Sequence, residues 1–432
     1  MYFAGQSSLN YMENTTLFTN DAIVFGLLML ALGFVFYTSS KTDGFWKKFY
    51  KVVPALLMCY LIPAIFNSLG LIDDETSQLY FVASRYLLPA ALVLMTLSID
   101  LKAIFNLGPK ALIMFFAGTI GIIFGGPIAI LIMSVIYPEA LGGVGPDAIW
   151  RGLSTIAGSW IGGGANQAAM LEIYEYNPDL YGGMVLVDIV VANLWMAIIL
   201  MGIGKNEELD KWLKADNSAI GELKDRVSNY AKKVTRNPSL PDFMIMLALA
   251  FVAVGIAHWG ADNISTWLMA NFEVFNDTKS ALSSFSSQFF WMITIATAIG
   301  ILLSFTKFKT YEGAGASKIG SIFIYILVAT IGMKMDLTTI FDNPGLLGIG
   351  LIWIAIHVIV LLTTAKLIKA PYFFLAVGSQ ANVGGAASAP VVAAAFHPSL
   401  ATVGVLLAVF GYVVGTYGAI LCTILMQIAA GG

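Results

Sequence analysis

Two glycine-rich stretches carry most of the polar residues that could do chemistry in an otherwise apolar sequence. The first, residues 158–169, reads GSWIGGGANQAA, and the second, residues 378–390, reads GSQANVGGAASAP. Consecutive glycines let a chain turn without a Cβ clash, and such a turn exposes backbone N–H and C=O groups. Half-helix N-termini suit a carboxylate, whereas half-helix C-termini and unwound carbonyls suit Na⁺. The two stretches therefore predict a binding site for a small solute, an ion or both.

The candidate binding residues are neutral polar side chains and the glycines of the predicted turns. Neutral donors and acceptors can coordinate a cation or a polar solute without the cost of burying a charge. The candidates are Ser159, Gly162, Gly163, Gly164, Asn166, Gln167, Ser379, Gln380, Asn382, Gly384, Gly385 and Ser388. Among them, Asn166, Asn382 and Ser388 are the candidate Na⁺ ligands. Close helix packing is an alternative reason for small residues, but it explains Gly and Ala better than Asn, Gln and Ser.

Asp188 is a further candidate because it lies inside the apolar run 184–193. An ionisable residue at membrane depth is by default a functional hypothesis. It is either a ligand of a coupling cation or a proton carrier, or it anchors the backbone of a neighbouring hairpin. The sequence leaves these interpretations open.

The two stretches belong to two similar halves of the chain. A shift of 220 positions places Gly158, Ser159, Gly164 and Ala169 on Gly378, Ser379, Gly384 and Ala389. A second pair of matching segments, 100–105 and 336–341, lies upstream in the same order. We therefore expect a duplication, with a first repeat at 1–204, a charged linker at 205–240 and a second repeat at 241–432.

The composition predicts an all-α polytopic membrane protein. Of the 432 residues, 58% are hydrophobic and 11% are charged, against about 25% charged residues in soluble domains. The net charge of −3 does not favour nucleic acid as a partner. A P-loop, a Gly-x-Ser-x-Gly elbow, a nucleotide fingerprint and a metal-ligand spacing are all missing from the sequence. We therefore expect neither an enzyme nor a cofactor, other than Na⁺ or H⁺ as a coupling ion.

Each half contains five apolar runs of the length that a bilayer requires, about 17–25 residues. The runs lie near 21–38, 50–71, 84–100, 110–136, 181–204, 242–260, 287–305, 317–335, 346–368 and 400–427. Lysines in the short loops place the N-terminus outside and the linker in the cytoplasm, which makes the repeats inverted. The number of crossings then predicts that 151–175 and 371–396 are re-entrant hairpins, although fully crossing broken helices are an alternative. Residues 1–20 lack a basic segment followed by an apolar core, so we expect no cleaved signal peptide and a location in the cell membrane.

The two glycine-rich motifs resemble those of the DUF819 family of integral membrane proteins, and this resemblance covers essentially the whole chain. More distantly, the chain is similar to the cation–anion transporter superfamily, which includes bile acid/sodium, glutamate/sodium and 2-hydroxycarboxylate/sodium symporters. The resemblance implies a core domain that carries two discontinuous elements and moves against a scaffold, often in a dimer. It also implies Na⁺ and a small organic anion or amino acid as ligands, with Gly163, Gly164, Gly384 and Gly385 in the hairpin turns.

These observations together predict a cation-coupled secondary transporter of a small organic anion or amino acid, with Na⁺ favoured over H⁺. It would work by alternating access of the part that carries the two glycine-rich elements. A passive channel or facilitator for a small polar solute is the alternative.

Overall fold

The computed structural model describes residues 16–50, 53, 55–72, 76–97, 104–216, 220, 237–275, 283–335, 343–397 and 400–431. Within these residues the regular structure is helical, with one isolated bridge between Phe18 and Ile72. This confirms the predicted all-α membrane fold. Asp100 and Asp336 of the upstream repeat marker lie outside the described residues, as does most of the linker.

The helices follow the predicted apolar runs. In chain order they are α1 (Asp21–Ser39), α2 (Gly44–Phe49), α3 (Ala55–Ser68), α4 (Leu79–Leu97, with a π-helical turn at Ala83–Leu87), α5 (Pro109–Ile136), α6 (Ile149–Gly162), α7 (Gly164–Ile173), α8 (Tyr181–Ile203), α9 (Asn206–Leu213), α10 (Leu240–Asn271), α11 (Gln288–Ser304), α12 (Ala316–Gly332), α13 (Gly345–Leu367), α14 (Tyr372–Val383), α15 (Gly385–Phe396) and α16 (Ala401–Ala429).

Seven of the described helices are long and apolar enough to cross a bilayer, namely α1, α4, α5, α8, α10, α13 and α16. The other three predicted runs are also helical but shorter. Helices α3 and α12 have 14 and 17 residues, and α11 has 17 before the chain bends by 97° into the 3₁₀ helix Lys307–Ala314. At 1.5 Å per residue, the 28 residues of α5 extend about 42 Å. The position of a contact along α5 therefore indicates its depth across the protein.

The first glycine-rich stretch folds back on itself as a pair of antiparallel helices, hairpin 1 (149–173). At its open end, Arg151 Nη1 donates a hydrogen bond of 2.5 Å to the carbonyl of Tyr174. Nearer the turn, a Cβ on Gly158 would lie 2.6 Å from the carbonyl oxygen of Asn166. These contacts join early residues of the first helix to late residues of the second, so the two helices run antiparallel. The chain reverses its direction at Gly163.

The second glycine-rich stretch forms hairpin 2 (372–396) in the same way. The rings of Phe373 and Phe396 lie 5.3 Å apart at its open end. Near the turn, Ser388 Oγ donates a hydrogen bond of 2.7 Å to Gln380 Oε1. The chain reverses at Gly384.

The open ends of the two hairpins lie at opposite ends of α5. Beside the C-terminal end of α5, the backbone N–H of Asn177 donates to the carbonyl of Pro146 at 3.0 Å, next to the opening of hairpin 1. Beside the N-terminal end, Lys110 Nζ donates to the carbonyl of Lys369 at 3.3 Å, next to the opening of hairpin 2. The two turns therefore approach each other from opposite sides of the protein.

The helices pack as two groups, each with members from both halves of the chain. The core group contains α5, α8, α13, α16 and both hairpins, and the scaffold group contains α1, α3, α4, α10, α11 and α12. Helices of one group pack mainly against each other. Contacts between the groups include those of α4 with α7 and α16, of α11 with α7 and of α3 with α8.

Candidate functional site

The turns of the two hairpins meet inside the protein. A Cβ on Gly385 would lie 3.7 Å from the Cα of Gly163. Gly163 has φ 82° and ψ −172°, a backbone region that is essentially restricted to glycine, and Gly385 has φ 54°. Glycine at these positions therefore lets each helix stop and restart where the other hairpin lies directly against it.

A cavity of about 570 Å³ adjoins the meeting point of the turns. The core group contributes residues of both hairpins, α8 and α16 to its wall. The scaffold group contributes Leu56, Met95, Ser321, Ile324, Tyr325 and Val328. The cavity therefore lies at the boundary between the two groups.

Most of the residues predicted from sequence line this cavity. They are Ser159, Gly163, Gly164, Gln167, Asp188, Gln380, Gly384, Gly385 and Ser388. Gly162, Asn166, Ser379 and Asn382 lie away from its wall. At Gly162 the packing alternative applies, because a Cβ there would lie 2.8 Å from the Cα of Gly415 on α16.

Asp188 holds hairpin 1 through three hydrogen bonds. Its Oδ2 accepts from Ser159 Oγ at 2.7 Å and from Gln167 Nε2 at 3.0 Å. Its Oδ1 accepts from Trp160 Nε1 at 2.7 Å. The side chain is 5% exposed. The three partners are side chains and not the backbone that the anchor interpretation expected, and the position of Asp188 on the cavity wall also leaves it within reach of a ligand.

Ser379 lies in a buried hydrogen-bond chain instead of on the cavity wall. Its Oγ accepts from Trp195 Nε1 at 2.7 Å and lies 2.8 Å from His357 Nε2. His357 Nδ1 lies 3.0 Å from the carbonyl of Gly118. Because a carbonyl can only accept, Nδ1 carries the proton of the neutral ring, and Ser379 donates to Nε2. These hydrogen bonds attach hairpin 2 to α8, α13 and α5.

The two asparagines differ in how fully they are bonded. Asn382 Oδ1 accepts from Thr119 Oγ1 at 2.8 Å, and its Nδ2 donates to the carbonyls of Phe115 and Gly378 at 3.0 and 2.9 Å. Both atoms of this amide are therefore engaged.

Asn166 is fully buried but only half satisfied. Its Nδ2 donates to Thr416 Oγ1 at 2.7 Å and to the carbonyl of Tyr412 at 3.1 Å. Its Oδ1 has no hydrogen-bond partner among the described residues. Of the three candidate Na⁺ ligands, Asn166 alone keeps an unpaired buried side-chain oxygen, because Ser388 is bonded to Gln380.

Sequence reasoning missed two parts of the site. The cavity residues on α3, α4 and α12 lie in ordinary apolar runs and carry no local signal. The second part is an ion pair between Arg85 of α4 and Glu172 of α7, to which Tyr80 also donates a hydrogen bond. A charged residue such as Arg85 at the edge of a predicted span was a detectable signal. This pair joins the scaffold group to the core group near the open end of hairpin 1.

Comparison with known proteins agrees with this fold. Residues 26–428 match the DUF819 family, which is described as a protein of unknown function. The chain is also 24% identical over 366 residues to a protein of Bacillus subtilis (strain 168) named uncharacterized membrane protein YjcL, covering 82% of this chain and 85% of that protein. With its several apolar spans and this relative, the chain is an integral membrane protein.

Proposed function

We propose that this chain, which belongs to the DUF819 family, is a cation-coupled secondary transporter of a small organic anion or amino acid. The observation that carries the proposal is the meeting of two glycine turns, Gly163 and Gly385, beside a cavity between two helix groups. Non-helical backbone at membrane depth is tolerated only where protein buries it or where it lines a cavity. Paired broken helices in corresponding positions of two halves are typical of the binding sites of secondary transporters.

Inverted repeats and re-entrant hairpins are part of this proposal. The openings of the hairpins lie at opposite ends of α5, as re-entry from opposite membrane faces requires. The corresponding helices α5 and α13 run antiparallel, because Trp353 Nε1 bonds the carbonyl of Ile122 at 2.8 Å while His357 lies beside Gly118. Antiparallel counterparts are expected for repeats related by an axis in the membrane plane.

The proposed mechanism is alternating access, with the core group moving against the scaffold group. The cavity reaches Asn193 and Met196 in the second half of α8. The next turn of α8 adjoins the opening of hairpin 2, because Tyr372 Oη donates to the carbonyl of Ile199 at 2.9 Å. The Arg85–Glu172 pair lies near the other opening. This supports a state that is closed outside and open toward the cytoplasmic linker.

The proposed coupling ion is Na⁺, with Asn166 as its side-chain ligand because Asn166 Oδ1 is buried and unpaired among the described residues. Coupling to H⁺ through Asp188 is the alternative. The proposal places the N-terminus outside and the protein in the cell membrane as a homodimer, and it includes no enzymatic activity.

Alternating access can be tested with a single cysteine at Asn193, introduced after Cys59→Ala and Cys422→Ala remove the native thiols. A membrane-impermeant maleimide is applied to sealed vesicles of each orientation, in Na⁺ or in K⁺ at constant ionic strength. We expect labelling from the linker side in K⁺ and a shift of labelling between sides in Na⁺. Equal labelling from both sides at once, independent of Na⁺, would favour the passive facilitator instead.

A further inference from the structure

Two helix N-termini converge on the cavity. Helix α7 begins at Gly164 and has 10 residues, and α15 begins at Gly385 and has 12. The first N–H groups of a helix have no intrahelical acceptor, and the helix end carries partial positive charge. The first-turn residues Gly164, Ala165, Gly385 and Ala386 all line the cavity. The two helix N-termini therefore lie at the wall of the space where a ligand would bind.

Gln380 adds a donor of a different kind. Gln380 is a lining residue of the cavity and is 1% exposed, and its Oε1 accepts a hydrogen bond from Ser388 at 2.7 Å. Its Nε2 has no hydrogen-bond partner among the described residues. A buried donor without an acceptor is unfavourable, so a ligand that brings an acceptor oxygen to this point would remove the penalty. This observation is independent of the helix ends and indicates the same ligand chemistry.

The charges around the cavity limit that ligand to one negative group. Among the described lining residues there is neither Lys nor Arg, and the one carboxylate is that of Asp188. Three donors already occupy Asp188. A second carboxylate on the ligand would have no cationic side chain to pair with. An ammonium group on the ligand would have only the carboxylate of Asp188, which already accepts three hydrogen bonds.

The remaining wall is mostly apolar, with Asn193, Ser321, Tyr325 and Tyr412 as its polar members. Away from the turns it includes Leu56, Met95, Met196, Ile324, Val328 and Val391. An apolar body of the ligand would be removed from water there, which favours binding in proportion to the area buried.

We infer that the cavity binds a monocarboxylate with an apolar body, whose carboxylate accepts hydrogen bonds from the two N-termini and from Gln380 Nε2. The inference rests on the proposed function for the identity of the cavity as the transport site. It narrows the organic anion to a class with one charge and a hydrocarbon body.

The test uses five small probes on the purified full-length chain in detergent, read by thermal unfolding and by titration calorimetry. The probes are 4-methylpentanoate, 4-methylpentylamine, 4-methylpentanol, glutarate and leucine. We expect 4-methylpentanoate to raise the midpoint of unfolding and to bind at least tenfold more tightly than each of the others. Tighter binding of the amine, of glutarate or of leucine would overturn the inference, and so would binding of none of the five.

A substitution at Ala386, which is exposed to the cavity, makes the test specific. Ala386→Asp places a carboxylate in the first turn of α15, where it competes for the same donors and also favours the helix. We expect this variant to fold and to lose at least tenfold in affinity for 4-methylpentanoate. Ala386→Asn is the matched neutral control and should stay within about threefold of the parent. Equal affinities of the two variants would overturn the inference.

Removal of the unpaired donor provides a second variant. Gln380→Met keeps the size of the side chain and should lower the affinity for 4-methylpentanoate about tenfold. Gln427→Met, at a buried glutamine of α16 that is not on the cavity wall, should not change the affinity. Unchanged affinity in Gln380→Met would contradict the role of Nε2.

The two proposals can fail separately. Binding of 4-methylpentanoate without any Na⁺-dependent change in the accessibility of residue 193 would leave this inference intact and contradict coupled transport. A Na⁺-dependent change in the accessibility of residue 193 together with preferential binding of the amine would contradict this inference and leave coupled transport intact.

Discussion

Ser159 Oγ donates a hydrogen bond of 2.7 Å to Asp188 Oδ2. Ser379, which the shift of 220 positions matches to Ser159, accepts a hydrogen bond of the same length from Trp195, two turns further along α8. One helix therefore holds equivalent serines of both hairpins, although its own side chains at the two places are unrelated in type. The first hairpin is held by an acceptor and the second by a donor.

Asp188→Leu is expected to destabilise the protein even without Na⁺. The change leaves the donors of Ser159, Trp160 and Gln167 buried without an acceptor, at about 1 kcal/mol or more for each. Unfolding by heat in K⁺ measures the loss, which should total about 3 kcal/mol. Asp188→Asn should lose less, because Gln167 and Ser159 can turn to accept from the new amide. Asn193→Leu, on the same helix, is the matched control, since the one hydrogen bond of Asn193 Nδ2 within the described part of the chain goes to the carbonyl of Ile189. If Asp188→Leu instead raised the unfolding midpoint, Asp188 would be a buried charge whose hydrogen bonds do not offset its desolvation, and not an anchor.

Gly163→Ala and Gly164→Ala should differ sharply. At Gly163 the backbone has φ 82° and ψ −172°, where a Cβ costs about 1–3 kcal/mol. Gly164 is helical, and a Cβ there would meet its nearest heavy atom at 3.9 Å. We expect a lower unfolding midpoint for Gly163→Ala and no loss for Gly164→Ala. Equal effects of the two substitutions would contradict the position of the turn.

Na⁺ should stabilise the protein through Asn166 and not through Asn382. A ligand at 100 times its dissociation constant adds about 2.7 kcal/mol to the folded state. Asn166→Ala removes the unpaired Oδ1 and should abolish the shift in unfolding midpoint when Na⁺ replaces K⁺. Asn382→Ala should lower the midpoint in both salts, because it breaks bonds to Thr119 and Phe115, yet keep the shift. If Asn382→Ala lost the shift and Asn166→Ala kept it, the ion would lie on the α5 side of hairpin 2.

If the proposed orientation and alternating access hold, Glu172→Gln should open the side of the cavity near hairpin 1, which is the outer side in that proposal. The substitution removes the charge that pairs with Arg85 across the two helix groups. Weakening the closed state by about 1.4 kcal/mol would raise the outward-open population about tenfold. Labelling of a cysteine at position 193 from the outside measures this population. The exchanged pair, Arg85→Glu with Glu172→Arg, should return labelling toward the parent value, whereas continued high labelling would mean that charge pairing is not what closes the outer side.

Much of the fold follows from periodic and compositional signals. Every predicted apolar run contains an α-helix that covers most of its described residues, because a run of some 20 apolar residues can satisfy its backbone in a membrane only as a helix. The breaks at Gly163 and Gly384 also follow from the sequence, since consecutive glycines combine weak helix propensity with backbone freedom. Both properties are local and can be read from neighbouring residues.

The role of an individual polar residue could not be predicted from its neighbours in the sequence. Ser159 and Ser379 occupy equivalent positions in similar motifs, yet Ser159 lies on the cavity wall and Ser379 in a buried chain with His357. Asn166 and Asn382 each bond a threonine, yet Asn382 accepts from Thr119 through Oδ1, whereas Asn166 donates to Thr416 through Nδ2 and leaves its Oδ1 unpaired among the described residues.

The sequence by itself determined the membrane class, the helical runs and the two places where helices break. Only the tertiary structure decided which polar atoms face the cavity, which of them remain unpaired, and that Arg85 meets Glu172 across the two helix groups. The reason is physical. Helix formation and chain reversal depend on residues within one or two turns, whereas hydrogen-bond partners such as Asn166 and Thr416, 250 positions apart, are set by the packing of distant helices.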